Sequence, residues 1–501
     1  MAISTKSSVL ALKEETTEGT LVLPTAASDY VALQPDGAMA PAIASNTNDE
    51  IRASIGASKP ILGAEAPTFT VSHYLRHSGV EGQAPNYHLM PKALFGSEVV
   101  ASVEYDTVAA STTSVIKVNT GEGVNFQRGQ ALLLKDPVNG YRIRFIESVS
   151  GDNLTIGFQV PTAPGVGVNL GKAVTYVPVN SGHPTLSVLH YLGNGGAVQA
   201  MAGGRVVSGK FTATAGALVN ASYSLEGVGY YFNPVEITAS TDTLDFYDGA
   251  SSFAVTVEDK VFKNPEALAE SLETLMNAAG AADNYTVSFS KTTGKYTFVS
   301  DGTTFELRWN TGTNTAQSIA SKIGFSTAAD STGATTYTSA TAEVLAAPQT
   351  PSYDSADPLA AKNQEVMVGD TSDYLCFDAS SVELTVGTPK TNIQSICAES
   401  GISGSVINER TDEVKISALL SQYDSSIFHK YQKGSNVKFQ YSFGEKSGGN
   451  WVAGKSGCLS MPTATVSSYD VVDQNGLVAL NMTLTGYVDA AGEGEVFLSF
   501  V

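Results

Sequence analysis

The stretch MPTATVSSYDVVDQNGLVALNMTLTGYV, residues Met461–Val488, decides the fold class. Val478, Leu480, Met482 and Leu484 alternate with Ala479, Asn481, Thr483 and Thr485. A period of two gives a strand one apolar face and one polar face. Just before it, Asp473-Gln474-Asn475-Gly476 carries turn chemistry, because Asn and Gly tolerate the positive φ of a tight hairpin. The segment therefore predicts a long antiparallel hairpin with one face to bury. Arg205–Tyr230 repeats the texture: Val219, Ala221, Tyr223 and Leu225 make an apolar face, and Ala215-Gly216 a turn.

The rest of the composition agrees with strands. Hydrophobic residues make up 42% of the chain and charged residues only 16%, with Thr, Ser, Ala, Gly and Val abundant. Such a mixture favours strands and turns over helices. A chain of 501 residues is expected to hold several domains. The formal net charge of -20, with no basic cluster, argues against a duplex-binding groove. Cys376, Cys397 and Cys458 are odd in number and form no C-x-x-C, so neither a disulfide framework nor a zinc knuckle is indicated. The first residues, MAISTKSSVLALKEE, lack the apolar core of a signal peptide, and no stretch approaches the roughly 18 apolar residues of a membrane span. Synthesis and folding in a cytoplasm are expected, with no membrane partner.

Along the chain, residues 1–60 read as an extended arm, Pro67–Tyr74 as a strand and Ala84–Gly96 as a short helix. Within 99–180, the short apolar runs Val115–Val118, Ala131–Lys135, Tyr141–Ile146 and Asn153–Ile156 are split by turns and suggest a small β-barrel-like insert. Thr185–Leu192 and the first hairpin follow. Residues 236–345 contain an amphipathic helix, Asn264–Ala279, with Asn264 as cap, Pro265 at its first position, and Leu268, Leu272, Leu275 and Met276 on one face. Strands at Tyr285–Ser290, Lys295–Phe298 and Phe305–Trp309 and a helical Ala316–Ile323 complete an inserted α+β domain, with the run after Phe325 as its exit. Ala347–Pro358 reads as a linker. From Tyr374 the earlier order recurs: extended Tyr374–Gly387, strand region Gly404–Leu419, helix Tyr423–Gln432, strand Val437–Phe443 and the final hairpin. Even the hairpin ends agree, Leu225-Glu226-Gly227 against Leu484-Thr485-Gly486. The expected fold is mainly β, with two β-sandwich or barrel modules, each carrying a short helix. Module 1 comprises 1–98 and 181–235, and module 2 comprises 346–501. The small β insert at 99–180 and the α+β domain at 236–345 are additions.

No catalytic, cofactor-binding or metal-binding residue is assigned. His73 and His77 have the spacing of a helical metal pair, but at a strand end that spacing does not bring both rings to one ion, and zinc needs three or four ligands. They read as polar residues at a strand edge. G-x-S-x-G and G-x-G-x-x-G are absent, the glycines are not read as a P-loop, the densest glycine run, Gly193-Asn194-Gly195-Gly196, has neither glycine spacing, and no carboxylate pair is marked for acid–base work. An enzyme is therefore not expected. Cys376 reads as a small buried apolar residue, and Trp309 and Trp451 as packing anchors.

Strand modules with long hairpins leave edges that must be paired, covered or charged. Closed rotational symmetry satisfies every edge alike, so lateral pairing between subunits predicts a barrel around a pore, and stacked rings a tube. The chain resembles the major tail tube proteins of long-tailed bacteriophages with non-contractile tails. The resemblance rests on the joint order of PTFTVSHYL within Ser54–Gly79, APNYHLMPKALFG, SGISGSVINERTDEVKISALL (Ser400–Leu420) and DQNGLVALNMTLTGY. It covers roughly 1–98, 181–235 and 346–501, and leaves the inserts as exterior decorations. It implies a structural virion protein, made in the host bacterial cytoplasm and located in the phage tail. It also implies rings of three subunits with pseudo-sixfold symmetry, other tail proteins at the tube ends, and phage DNA passing through the lumen without specific binding. A lumen lined by carboxylates would repel phosphates; the candidate residues are Glu226, Asp470 and Asp473. A surface or filament adhesin built of β-sandwiches is the alternative. A β-sandwich carbohydrate enzyme would need paired carboxylates and sugar-stacking aromatics that the sequence does not display.

Overall fold

The computed structural model describes residues 4–35, 37, 39–50, 56, 58–302, 304–342, 347–420, 425–489 and 494–501. The protein is mainly β; among the described residues there are three α-helices. In the first half the strands that matter are β1 (Val9–Glu14), β2 (Tyr30–Val31), β3 (Ile43–Asn46), β4 (Ile61–Glu65), β5 (Thr68–Tyr74), β6 (Leu186–Leu192), β7 (Ala197–Thr214) and β8 (Asn220–Glu226). Helix α1 (Leu89–Phe95) starts later than Ala84, because residues 85–90 form turns closed by His88 N–H to Pro85 O and Met90 N–H to Tyr87 O. Gly96 ends it at φ +102, a conformation that suits glycine.

Helix α2 (Pro265–Ala278) has the cap expected for it: the Asn264 side chain accepts from Ala267 N–H at 2.8 Å. In the second half follow β9 (Glu365–Gly369), β10 (Tyr374–Gly387), β11 (Lys390–Gln394), β12 (Ile402–Ile407), β13 (Thr411–Leu419), helix α3 (Ser425–Lys433), β14 (Asn436–Ser447), β15 (Asn450–Gln474) and β16 (Leu477–Gly486). Tyr423 and Asp424, where the last helix was expected to begin, lie outside the described residues.

The two halves share one pairing plan. In the second, β10 pairs with β9, β9 with β14, β14 with β15, β15 with β16, β16 with β13, and β13 again with β10, so the circuit closes. In the first, the order is β2-β1-β6-β7-β8-β5. The chain after β2 runs back along β5, with Gln34 N–H bonded to Ser72 O and Ala40 bridged to Thr68. Strand by strand, β1, β2, β5, β6, β7 and β8 occupy the places of β9, β10, β13, β14, β15 and β16, in the same chain order. Each half also places a two-stranded sheet, β3-β4 or β11-β12, at the same point of the sequence, and a helix after the fifth strand of the series.

The chain packs as two compact units: Met1–Leu10, Val188–Ala202 and Gly229–Thr350 in one, Ala11–Ser187, Gly203–Val228 and Pro351–Val501 in the other. The first unit holds α2 against small sheets, over a core that includes Phe246, Leu268, Leu272, Met276, Phe298 and Trp309. The run after Phe325 is more than an exit: Ser331–Ala334 and Thr336–Thr338 pair with Phe305–Leu307 and Lys295–Ser300. The segment Ala316–Ile323 forms two 3-10 turns, with Ser318 between them. In the second unit, residues 105–170 form a six-stranded sheet around Ile116, Leu132, Leu134, Ile146, Leu154 and Leu170. It closes where Val108 N–H meets Lys117 O.

Two residue readings are corrected. His73 and His77 are not edge residues but are 3% and 4% exposed. His73 continues the inward row Phe69, Val71 and packs on Tyr87 and Tyr223, while His77 packs on Phe443 and Phe500. Cys376 is exposed and Cys458 is the buried cysteine. Trp309 and Trp451 are both buried, as packing anchors must be.

Candidate functional site

The feature most suited to a function is the face of one continuous sheet. Seven strands lie in the order β5-β8-β7-β10-β13-β16-β15, and the join between β7 and β10 links the first half to the second. Alternation assigns the two faces. One buries Phe69, Val71, Tyr223, Phe211, Leu384, Ile416, Met482 and Leu484. Register places mostly polar residues on the other: Thr68, Thr70 and Ser72 beside Glu226, Ser224 and Ser222, then Ser208, Lys210 and Thr212, then Thr385 and Glu383. Beyond these come Glu413, Lys415 and Ser417, then Thr485, Thr483 and Asn481, then Asp470. The face is a field of hydroxyls and amides with few charges.

Those charges are arranged in sequence across the middle strands. Lys210 Nζ lies 2.9 Å from Glu383, and Lys415 Nζ lies 2.8 Å from Glu413, with Glu383 and Lys415 opposite each other in the ladder. Lys415 is held above the usual lysine range, first by its bond to Glu413. Glu226 and Asp470 add two carboxylates, and Arg205 stands opposite Glu226 in the ladder.

The sequence candidates fall in different places. Glu226 ends β8 on the polar face, near Lys390, whose Nζ donates to Gly227 O at 2.9 Å. Burial pulls the Lys390 ammonium down to about 8, against the opposing pull of Glu226 and Glu18. Asp470 stands on the same face, opposite Asn481, near the far edge. Asp473 does not join them: it pairs with Val478 on the other side of the hairpin and accepts the Gly476 N–H at 2.9 Å. Asn475 at φ +58 and Gly476 at φ +80 complete that turn. Glu383, Glu413, Lys210 and Lys415 were missed, although the runs SGKFTAT, SVELTVG and DEVKISAL carry their alternation openly.

The surface also offers edges and apolar side chains. Past Thr465, β15 pairs with β16 on one side, and among the described residues no second strand pairs with Ser467–Gln474. Val471, Leu477 and Val478 at this tip are exposed. So are Ile61 and Leu62 on β4, Ile393 on β11, Ile396 in the loop after it, and Val406 on β12. The two small hairpins meet where Glu65 N–H donates to Ser400 O. Among the described residues no group of three His, Cys, Asp or Glu side chains could hold a metal ion, and no helix is long and apolar enough to cross a membrane.

No protein-family model matches the chain, and a search of curated proteins returns no match.

Proposed function

We propose that this chain is the repeating subunit of a tail tube, of the kind found in long-tailed phages with non-contractile tails. The observation that carries the reading is the shared pairing plan of the two halves, joined through β7 and β10 into one sheet with a mostly polar face. An unpaired strand edge is a template for another chain. Among the described residues Ser467–Gln474 pairs with one strand only, at one end of that sheet, so a second copy can extend it. Repetition around an axis turns the polar face into a wall. Two strand modules per chain favour rings of three with pseudo-sixfold symmetry.

The chemistry of the face suits a conduit for DNA. Hydroxyls and amides hold water, and Lys210 and Lys415 are engaged by carboxylates. Phosphates passing such a wall meet no free cation row to bind, in contrast with a nucleic-acid groove. Exposed apolar residues on the small hairpins supply further contacts between copies, which in a stacked assembly would join rings. The protein would reside in the virion tail, with other tail proteins at the tube ends.

Negative-stain microscopy of the purified full chain at rising concentration tests this. Hollow tubes of uniform width are the expected result. Single particles that never associate, and instead bind immobilised glycans, would replace the reading with that of an adhesin.

A further inference from the structure

The barrel of residues 105–170 carries a cavity of about 230 Å³. Leu134, Val160, Pro161 and Pro164 supply apolar walls, and Asp136 and Arg142 supply charge. Arg142 opens the strand Arg142–Ser150 and stands opposite Leu134 in the ladder.

Arg142 is the unusual residue. Arg128, Arg205, Arg308 and Arg410 each pair with a carboxylate, at Asp489, Glu18, Glu306 and Glu495. Among the described residues Arg142 has neither an ion pair nor a hydrogen bond, and its Nε is buried without a partner. This happens in a chain of net charge -20, where acids are plentiful. The acid that shares the cavity is already engaged: Asp136 accepts Val138 N–H at 2.8 Å, Asn139 N–H at 3.0 Å and Asn139 Nδ2 at 2.8 Å. Those bonds hold the Asp136 carboxyl below its usual range, against the opposing effect of burial, and shape the loop.

A buried donor without a partner is costly, more so when it is charged. The planar fork of a guanidinium matches a carboxylate in bidentate fashion. The cavity is smaller than the roughly 300–1,000 Å³ of drug-sized sites, so its occupant is the size of a side chain or small ring.

We propose that this cavity binds a compact carboxylate with an apolar body, the carboxylate on the Arg142 fork and the body against Val160, Pro161 and Pro164. The carboxylate can belong to a free small acid or to the C-terminus of a partner polypeptide. Either source presents the same group to Arg142.

Fluorine NMR of 4-fluorobenzoate with the full chain tests the site, with 4-fluorobenzamide as the uncharged isostere. Saturable broadening of the benzoate is expected, with affinity weaker by about tenfold or more for the benzamide and for Arg142→Gln. Arg142→Lys, which keeps charge and loses the fork, should fall between. A short peptide ending in a free Phe carboxylate, compared with its amide, separates the sources: displacement by the acid alone points to a polypeptide terminus, and no displacement to a free acid. Equal binding of benzoate and benzamide, unchanged binding in Arg142→Gln, or no saturable broadening by either probe would overturn the proposal. The comparison of the two probes on the unaltered chain stands even if a variant folds poorly.

Discussion

The ammonium of Lys210 lies 2.9 Å from a carboxylate oxygen of Glu383, across the seam where β7 of the first half pairs with β10 of the second. The two side chains are 49% and 29% exposed, so water competes for both ends of the pair. Exposed ion pairs contribute about 0.2–1 kcal/mol. A double-mutant cycle with Lys210→Ala and Glu383→Ala, followed by urea unfolding, should return a coupling in that range. A coupling of several kcal/mol would mean that the seam depends on charge rather than on the ladder and the apolar face beneath.

That apolar face carries the larger energy. Leu484 is fully buried, between Val414 on β13 and Val466 on β15. Leu484→Ala should cost about 2–5 kcal/mol, the range for large-to-small changes in a packed core. Thr483→Ala, one residue along and on the polar face, should change stability by about 0.5 kcal/mol or less. Comparable losses at both positions in urea unfolding would reverse the assignment of the two faces.

Acid should act on the fold in two opposing ways. Burial holds the His73 imidazole down to about 4 and the His77 imidazole down to about 3. The unfolded chain takes up those protons near 6.5, so the stability present above that pH is lost as pH falls toward 4 and then 3, by about 2 kcal/mol per histidine at pH 5. Asp412 works in the other direction. Burial, aided by Glu495 and opposed by Arg410, pushes its carboxyl up to about 7, and among the described residues neither oxygen has a hydrogen-bond partner. The folded chain keeps this proton up to about 7 while the unfolded chain releases it near 3.8, so its cost grows between those values and is relieved by acid. His77→Phe should therefore gain about 2 kcal/mol on the parent between pH 7.5 and pH 5. Asp412→Asn should gain on the parent between pH 4 and pH 8. Unfolding free energies of either variant that track the parent at every pH would contradict this account.

The small hairpins should matter to assembly and not to folding. Ile61 and Leu62 are 61% and 68% exposed on β4. Replacing both with Asp should leave the unfolding midpoint of the isolated chain nearly unchanged and block or shorten tubes, read by sedimentation. Normal tubes from the double variant would remove β3-β4 from the subunit contacts.

How much of this was legible in the sequence depends on distance along the chain. The last hairpin could be read directly, because Asn475-Gly476 sets its turn and Leu480, Met482 and Leu484 set its inward face. The cap of α2 was equally local. Less legible was the reach of β15, which runs from Asn450 because its first part pairs with β14 and its last part with β16. The seam between β7 and β10 was invisible, since nothing local marks partners so far apart in the chain. Asp470 and Asp473 looked like one acidic turn, but three residues along a strand is an odd step, and an odd step changes faces. His73 could have been placed inside from the same parity, as its row begins with Phe69 and Val71.

The central claim is that one chain supplies two equivalent strand modules to the wall of a hollow ring. End-on averages of the assembled tube by cryo-electron microscopy measure it most directly. The account predicts three chains per ring, with six similar lobes of density around the lumen. Six chains per ring, or a chain that stays solitary at high concentration with Ser467–Gln474 protected from hydrogen exchange, would contradict it.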